Sequence, residues 1–288
     1  MKSKFNTVAI CASSKGKKIN QIAKQCCEVL LNQNIKVYLN EGLSEVAAVS
    51  KANVVNDSTL KKSDLIIVIG GDGSILGFAR QYGYLGIPLL GINLGNLGFL
   101  ADIAPDNITA SLTDIMSGKF IRDKRFFLEA SINSSKKTDI ALNEIVIHSG
   151  AVAQLIEYEL FVDKKFVYRQ RADGLIVNSP TGSTAYSLSG GGPIIHPEVK
   201  AITVLPMFPH SLSTSPFLVR DRSLIQIKMI GKKNKATLSL DSHHSISLKK
   251  GDMISIKKTS SNLTLIHPRG HNFFSACRNK LGWSSNLI

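Results

Sequence analysis

The 288 residues carry 43% hydrophobic and 19% charged side chains, a balance that builds cores and excludes an intrinsically disordered chain. A formal net charge of +14 suits anionic partners, but the lysines are scattered (Lys15, Lys17, Lys18; Lys61, Lys62; Lys232, Lys233, Lys235; Lys249, Lys250) with few aromatics among them. That pattern argues against a nucleic-acid groove and for small anionic substrates.

In chain order, Lys2 and Lys4 precede Val8-Ala9-Ile10-Cys11-Ala12, an apolar run too short for a signal-peptide core and β-branched enough for a first strand over 7–12. Helical spacing in Ile22, Ala23, Cys26, Cys27, Leu30 and Leu31 predicts a helix over 20–31, followed by a strand over 35–39. Cys11, Cys26, Cys27 and Cys277 lack C-x-x-C spacing, as expected of reduced thiols in a cytoplasmic protein. Leu65–Ile69 and Pro88–Ile92 read as buried strands separated by a helix from near Ser74. Strands alternating with helices imply a parallel sheet covered on both faces. No apolar run reaches the length of a membrane-spanning helix.

From about Arg122 the pattern becomes β-rich. Strands are expected over 126–132, 140–148, 155–162, 166–171, 175–178, 202–205, 224–229, 236–240, 253–257 and 263–266, with Asp163-Lys164-Lys165 as a hairpin connection. Many short strands with turn signals suggest an all-β, sandwich-like domain. A final helix over 272–281 is expected to pack back on the first domain. The predicted division is an α/β domain over 1–121, completed by 268–288, and a β-rich domain over 122–267.

Two glycine-rich stretches follow strands. The first, Gly70-Gly71-Asp72-Gly73-Ser74, presents one carboxylate among residues that lack bulk, as needed to place an acid beside a phosphate or hydroxyl. It is not a dinucleotide fingerprint, because Gly71 and Gly73 are followed by Gly77, one residue too late. It is not a P-loop either: Gly16-Lys17, Gly118-Lys119 and Gly231-Lys232 are followed by Lys or Phe where Ser or Thr is required. A tight strand-to-helix turn with a capping Asp is the plain alternative. The second stretch, Gly91 to Leu100, is expected to open at the same sheet edge as Asp72.

The densest polar cluster runs from Arg171 through Asp173-Gly174, Thr181-Gly182-Ser183-Thr184-Ala185-Tyr186-Ser187-Leu188-Ser189 to Gly190-Gly191-Gly192-Pro193. Thr, Gly and Ser after a strand can open a helix whose N–H groups and hydroxyls receive phosphate or ribose oxygens, and Tyr186 offers a flat face to a base. No Ser here sits in G-x-S-x-G, which excludes a nucleophile elbow. Asn143-Glu144 lies in a strand pattern where adjacent side chains face opposite sides, so one polar group points inward or meets a ligand. His148, His196, His210 and His267 show no metal-ligand spacing and read as structural.

Gly70 to Gly73, Gly91-Ile92-Asn93 with Gly98-Phe99-Leu100, Asn143-Glu144, Asp173 to Pro193, Pro209-His210-Ser211-Leu212-Ser213 and Lys280-Leu281-Gly282-Trp283 together closely resemble the NAD kinase family, over nearly the whole chain. The G-G-D-G element alone is shared with diacylglycerol, sphingosine and phosphofructokinase-like enzymes. The resemblance implies a Rossmann-like first domain and phosphoryl transfer from ATP to the adenosine ribose 2′-hydroxyl of NAD, giving NADP, with Mg²⁺ or another divalent ion. Asp72 is then the general base, and Gly73 lets the ribose approach. Asn143 and Glu144 bind the dinucleotide, Thr184 to Ser189 line the adenine and ribose pockets, and Asp173 holds the nicotinamide carboxamide or its ribose. Arg171 contacts the same ligand, often at a subunit contact. His243 stands two residues after Asp241 where the family frequently has Gln, and Gln154 occupies a position of variable identity. The resemblance further implies a homodimer or homotetramer. A lipid kinase sharing the G-G-D-G loop and a non-catalytic nucleotide sensor are the alternatives.

Overall fold

The computed structural model describes residues 4–50, 52–150, 154–211, 214–231 and 236–283, so Lys232, Lys233, Lys235, Leu212 and Ser213 lie outside the described residues. The chain divides into two compact units, Met1–Lys124 with Asn262–Ile288, and Arg125–Ser261.

In chain order the first stretch holds β1 (Thr7–Ala12), α1 (Lys17–Leu31), β2 (Lys36–Leu39), α2 (Ser44–Ala47), β3 (Asn53–Val54), α3 (Asp57–Leu60), β4 (Leu65–Ile69), α4 (Asp72–Gln81), β5 (Leu89–Ile92) and α5 (Ile108–Met116). The β-rich stretch follows with β6 (Phe120–Ile132), β7 (Asp139–Ala141), β8 (Glu144–His148), β9 (Ile156–Val162), β10 (Lys165–Asn178), α6 (Tyr186–Ser189), β11 (Ala201–Pro209) and β12 (Phe217–Arg220). Last come β13 (Ile225–Met229), β14 (Ala236–Leu240), β15 (His244–Leu248), β16 (Met253–Pro268) and α7 (Phe273–Leu281).

The first unit is the expected α/β layer. Its sheet runs β16-β5-β4-β1-β2-β3, every pair parallel. β1 and β4 are apolar along most or all of their length because parallel strands are covered on both faces. α1 turns Ile19, Ile22, Ala23, Cys26, Cys27 and Leu30 inward, and these join Ile108, Leu112 and Ile115 of α5 in one core. Cys11, Cys26 and Cys27 are free and buried; burial pushes the thiols of all three up, Cys27 to about 11.

The second unit is antiparallel. β15, β14, β8, β10, β9 and β13 pair in that order, with β11 on β10 and β12 on β11. Its core gathers alternate residues such as Ile145, Ile147, Tyr158, Leu160, Leu175, Val177, Ile225 and Ile227. No helix among the described residues is long and apolar enough to cross a membrane.

Several boundaries differ from the sequence expectation. The strands expected over 166–171 and 175–178 are one strand, β10, whose first half pairs with β9 while its second pairs with β8 and β11. Gly174 permits this exchange, since a Cβ there would lie 2.6 Å from the Ile147 carbonyl oxygen. β16 likewise fuses the two strands expected over 253–266, because its polar middle stays extended instead of turning. Conversely, the strand expected over 140–148 breaks at Leu142–Asn143. The helix expected from Ser74 begins at Asp72. α5, β12 and β15 were not expected, although Ile108, Leu112 and Ile115 carry helical spacing.

Gly91 sits in β5 with no room for a side chain: a Cβ would lie 2.4 Å from Ile75 Cδ1 and 2.7 Å from Ala101 Cα. Gly91→Ala is expected to lower the unfolding free energy by about 1–3 kcal/mol, the usual cost of overpacking, as read by urea denaturation.

Candidate functional site

In the first unit the site begins where β4 ends. Gly70 takes φ +152°, and a Cβ on it would lie 2.4 Å from Ser74 Oγ, so this position admits only glycine. Ser74 Oγ is in turn 2.8 Å from Ser13 Oγ, just past β1. Asp72 opens α4, but its carboxylate crosses to the second glycine loop instead of capping its own helix. Oδ2 accepts from the Phe99 N–H at 2.9 Å, and Oδ1 accepts from the N–H groups of Leu100 at 3.0 Å and Ala101 at 3.2 Å. Lys280 Nζ, from the last turn of α7, donates to Oδ2 at 3.2 Å. A carboxylate has about four lone-pair positions, and these four donors account for them. The neighbouring glycine is required for the fit: a Cβ on Gly98 would lie 2.1 Å from Asp72 Oδ1. Around Gly71 and Gly73 the opposite holds, since an added Cβ would meet nothing within 4 Å. The side chain of Asp72 is 27% exposed.

The second unit repeats the motif of a carboxylate gripping successive amides. Asp241 and Ser242, at φ 44° and 57°, turn the β14–β15 hairpin. Asp241 Oδ2 accepts from the Leu142 N–H at 2.8 Å, and Oδ1 from those of Asn143 at 2.8 Å and Glu144 at 3.2 Å. These bonds draw the backbone of Leu142 and Asn143 out of the ladder, which is why the expected single strand breaks there. The Ser179 N–H donates to the Asn143 carbonyl at 2.9 Å, and Gly182 packs so closely that a Cβ would lie 2.3 Å from the same oxygen. Asn143, Glu144, the Thr181–Thr184 turn and the hairpin carrying exposed His243 are thereby brought together.

Glu144 is 4% exposed and its Oε2 has no hydrogen-bond partner among the described residues. Burial, and secondarily the charge of Asp241, push its carboxyl up to about 8, so at neutral pH it is a hydrogen-bond donor as well as an acceptor.

The expected helix after Thr181 is shorter than the sequence suggested: a 3₁₀ turn over Thr181–Thr184 and one helical turn, α6. Ser183 Oγ donates to the Pro180 carbonyl at 2.7 Å and accepts from the Ile195 N–H at 3.0 Å, a structural role. Ser187 is fully buried against Gly192, whose absent side chain leaves room for its Oγ. Tyr186 is 46% exposed, Ser189 is exposed, and Thr184, Ala185 and Leu188 are partly exposed. Asp173 lies on β10 at the far end of β8 from Glu144: Asn178 faces Glu144, and Asp173 is five residue steps along the strand from Asn178, about 17 Å. Arg171 is exposed and lines, with Arg169, His210, Ser211 and Thr214, an open groove of about 590 Å³. Gln154 is exposed just before β9.

Lys280 beside Asp72, the anchoring role of Asp241 and one further cluster were not singled out as site features in the sequence. In that cluster, within the first unit, Asp102 Oδ2 accepts from His267 Nδ1 at 2.9 Å and His271 Nδ1 at 2.8 Å. The available signal was the spacing of His267 and His271, but their acid lies more than 160 positions away. The three ligand atoms lie within 4.8 Å of one another. The two rings, however, are stacked at 3.8 Å and 16°, so no ion can lie in the plane of both, as imidazole coordination requires. The cluster is a hydrogen-bonded one, two imidazoles on one carboxylate oxygen. Burial would lower the pKa of His267, but its hydrogen bond to Asp102 and the Asp123 carboxylate 3.6 Å from Nε2 outweigh it and leave the pKa raised. Burial would raise Asp102, and the two imidazoles outweigh it and leave it lowered.

Two pH effects follow. Because the folded-state pKa of His267 is raised, its contribution is full below about 6.5 and fades as pH rises through the folded value. The melting-temperature gap between wild type and His267→Gln is therefore expected to narrow above pH 6.5. Glu144 is a carboxyl with a raised folded-state pKa, so its ionisation opposes folding as pH climbs from 4.5 through about 8. Glu144→Gln is expected to gain on wild type in melting temperature over that range, with the largest gain above pH 8.

Residues 8–120 match the ATP-NAD kinase N-terminal domain and residues 142–268 the ATP-NAD kinase C-terminal domain. A NAD kinase of Teredinibacter turnerae is 40% identical over 98% of both chains, and one of Chromohalobacter salexigens is 50% identical over 78% of both. Among solved structures, yeast NADH kinase complexed with NADH matches at 25% identity and a TM-score of 0.89, covering 99% of this chain and 93% of that one. An NAD kinase from Archaeoglobus fulgidus in complex with ATP matches at 26% identity and a TM-score of 0.75, covering 95% of this chain and 99% of that one.

Proposed function

Because this chain belongs to the ATP-NAD kinase family, we propose that it phosphorylates the 2′-hydroxyl of the adenosine ribose of NAD with ATP, and that Asp72 is its general base. The chain is an ATP-dependent NAD kinase; the lipid-kinase and sensor readings find no support among its relatives. The observation that carries the assignment of Asp72 is its anchorage: three backbone N–H groups fix both oxygens while the start of α4 stays open above Gly71 and Gly73.

In this reading Asp72 takes the hydroxyl proton as the ribose oxygen bonds to the γ-phosphorus, the bond between that phosphorus and the β–γ bridging oxygen breaks, and ADP leaves. Phosphoryl transfer asks for positioning and charge stabilisation more than for covalent help, so one acid on a fixed mount suffices. Neutral Glu144 donates its O–H to a nucleotide oxygen or ring nitrogen, and Asn143 offers its amide beside it. Tyr186 gives the base a flat face, with Thr184, Ala185, Leu188 and Ser189 lining that pocket and Ser187, fully buried beside Gly192, packed behind them. Asp173, displaced along β10, receives the nicotinamide end; Arg171, His243 and Gln154 supply outer contacts. The donors recorded around Asp72 are N–H and ammonium groups, which do not fit a cation, so Mg²⁺ is assigned to the phosphates of ATP and not to a protein cage. A homo-oligomer and a cytoplasmic setting belong to the same reading.

Asp72→Asn keeps the shape and the acceptor oxygen but cannot take a proton. It is expected to lower kcat by at least about 10²-fold with little change in NAD binding. The check is purified protein with ATP, Mg²⁺ and NAD, with NADP followed by a coupled dehydrogenase; unchanged turnover removes Asp72 from the mechanism.

A further inference from the structure

We propose that Lys280 is a second catalytic residue: it yields its position on Asp72 to the incoming hydroxyl and places its ammonium on the phosphoryl group being transferred. This rests on the reading of Asp72 as the base.

Of the four donors on the Asp72 carboxylate, three are backbone N–H groups of consecutive residues, Phe99 to Ala101. Their loop is itself fixed. The Gly98 N–H donates to the Ala101 carbonyl at 2.9 Å, and the Asn93 side-chain amide donates to the same carbonyl at 3.3 Å. The fourth donor, Lys280, stands on a flexible four-carbon stem and is 33% exposed. If a hydroxyl is to give its proton to Oδ2, one donor must leave that oxygen, and Lys280 is the one free to swing.

Its departure is provided for. Lys280 Nζ lies 4.9 Å from the centroid of the Phe99 ring, so the ammonium keeps a favourable aromatic face while it moves. The same ring packs 6.4 Å from that of Phe273, the first residue of α7, so both ends of the helix that carries Lys280 rest on the loop that grips the Asp72 carboxylate. The helix is capped by the Asn272 side chain on the Ser275 N–H at 3.1 Å. A half-exposed pair of this kind contributes little to folding. Phosphoryl transfer, by contrast, gains most from a cation at the migrating group. A group bonded to the base is already within a few ångströms of the attacking oxygen, and so close to the phosphorus it bonds to. Lys280 stays protonated throughout: the hydroxyl proton goes to Asp72, the new bond forms at the γ-phosphorus, and ADP departs.

The test is steady-state kinetics and thermal melting of Lys280→Met, Lys280→Arg and Asp72→Asn beside wild type. Lys280→Met is expected to lower kcat by about 30-fold or more, with KM for NAD within about threefold and melting temperature unchanged. Lys280→Arg, which keeps the charge, is expected to recover most of the lost kcat. A Lys280→Met enzyme with kcat within twofold of wild type overturns the proposal. So does an equal loss in both Lys280 variants with a fall in melting temperature, which marks a structural role. Should Asp72→Asn keep full kcat while Lys280→Met loses it, the base assignment fails and the lysine's own contribution stands apart from it.

Discussion

The site in each unit depends on one interaction, a carboxylate that takes successive backbone N–H groups from a segment distant in sequence. Asp72 does this to residues 99–101 and Asp241 to residues 142–144. Backbone N–H groups that neither a helix nor a ladder satisfies must find another acceptor. Charge-assisted bonds to a carboxylate are among the stronger ways to supply one. Each acid thereby sets the path of a loop. The glycines then follow from geometry: Gly98 leaves space for Asp72 Oδ1, and Gly182 for the Asn143 backbone that the Asp241 anchor draws aside.

The two anchors place their charges differently. Asp72 stays partly open and meets an ammonium, whereas Asp241 is buried close to a second carboxyl. Burial, and secondarily that proximity, keep the proton on Glu144, which converts an acceptor into a donor. The cluster around Glu144 thus owes part of its hydrogen-bonding character to an acid whose direct work is structural.

Local signals carried the parallel layer well. β4 and its glycines, α1 with its apolar stripe, and the turn from alternation to β-rich sequence near Arg122 are all written in short stretches. Strand ends were less legible because they depend on partners. β8 starts at Glu144 because an acid nearly a hundred residues later captures the amides of Leu142 and Asn143. β10 continues through Asp173-Gly174 because two different neighbours share it. The same limit applies to the site. A bare carboxylate among glycines announces Asp72, but the lysine that meets it stands 208 positions away, on a short helix with no local mark of function. His267 looked like a lone core histidine because its acid, Asp102, sits 165 positions earlier.

The thiols of β1 and α1 carry a further implication. Attack by peroxides and electrophiles proceeds through the thiolate, and burial raises the proton affinity of Cys11, Cys26 and Cys27 alike. Under oxidative assault these sulfurs remain protonated and out of reach. An enzyme that supplies NADP therefore keeps at least these three sulfurs inert to such reagents.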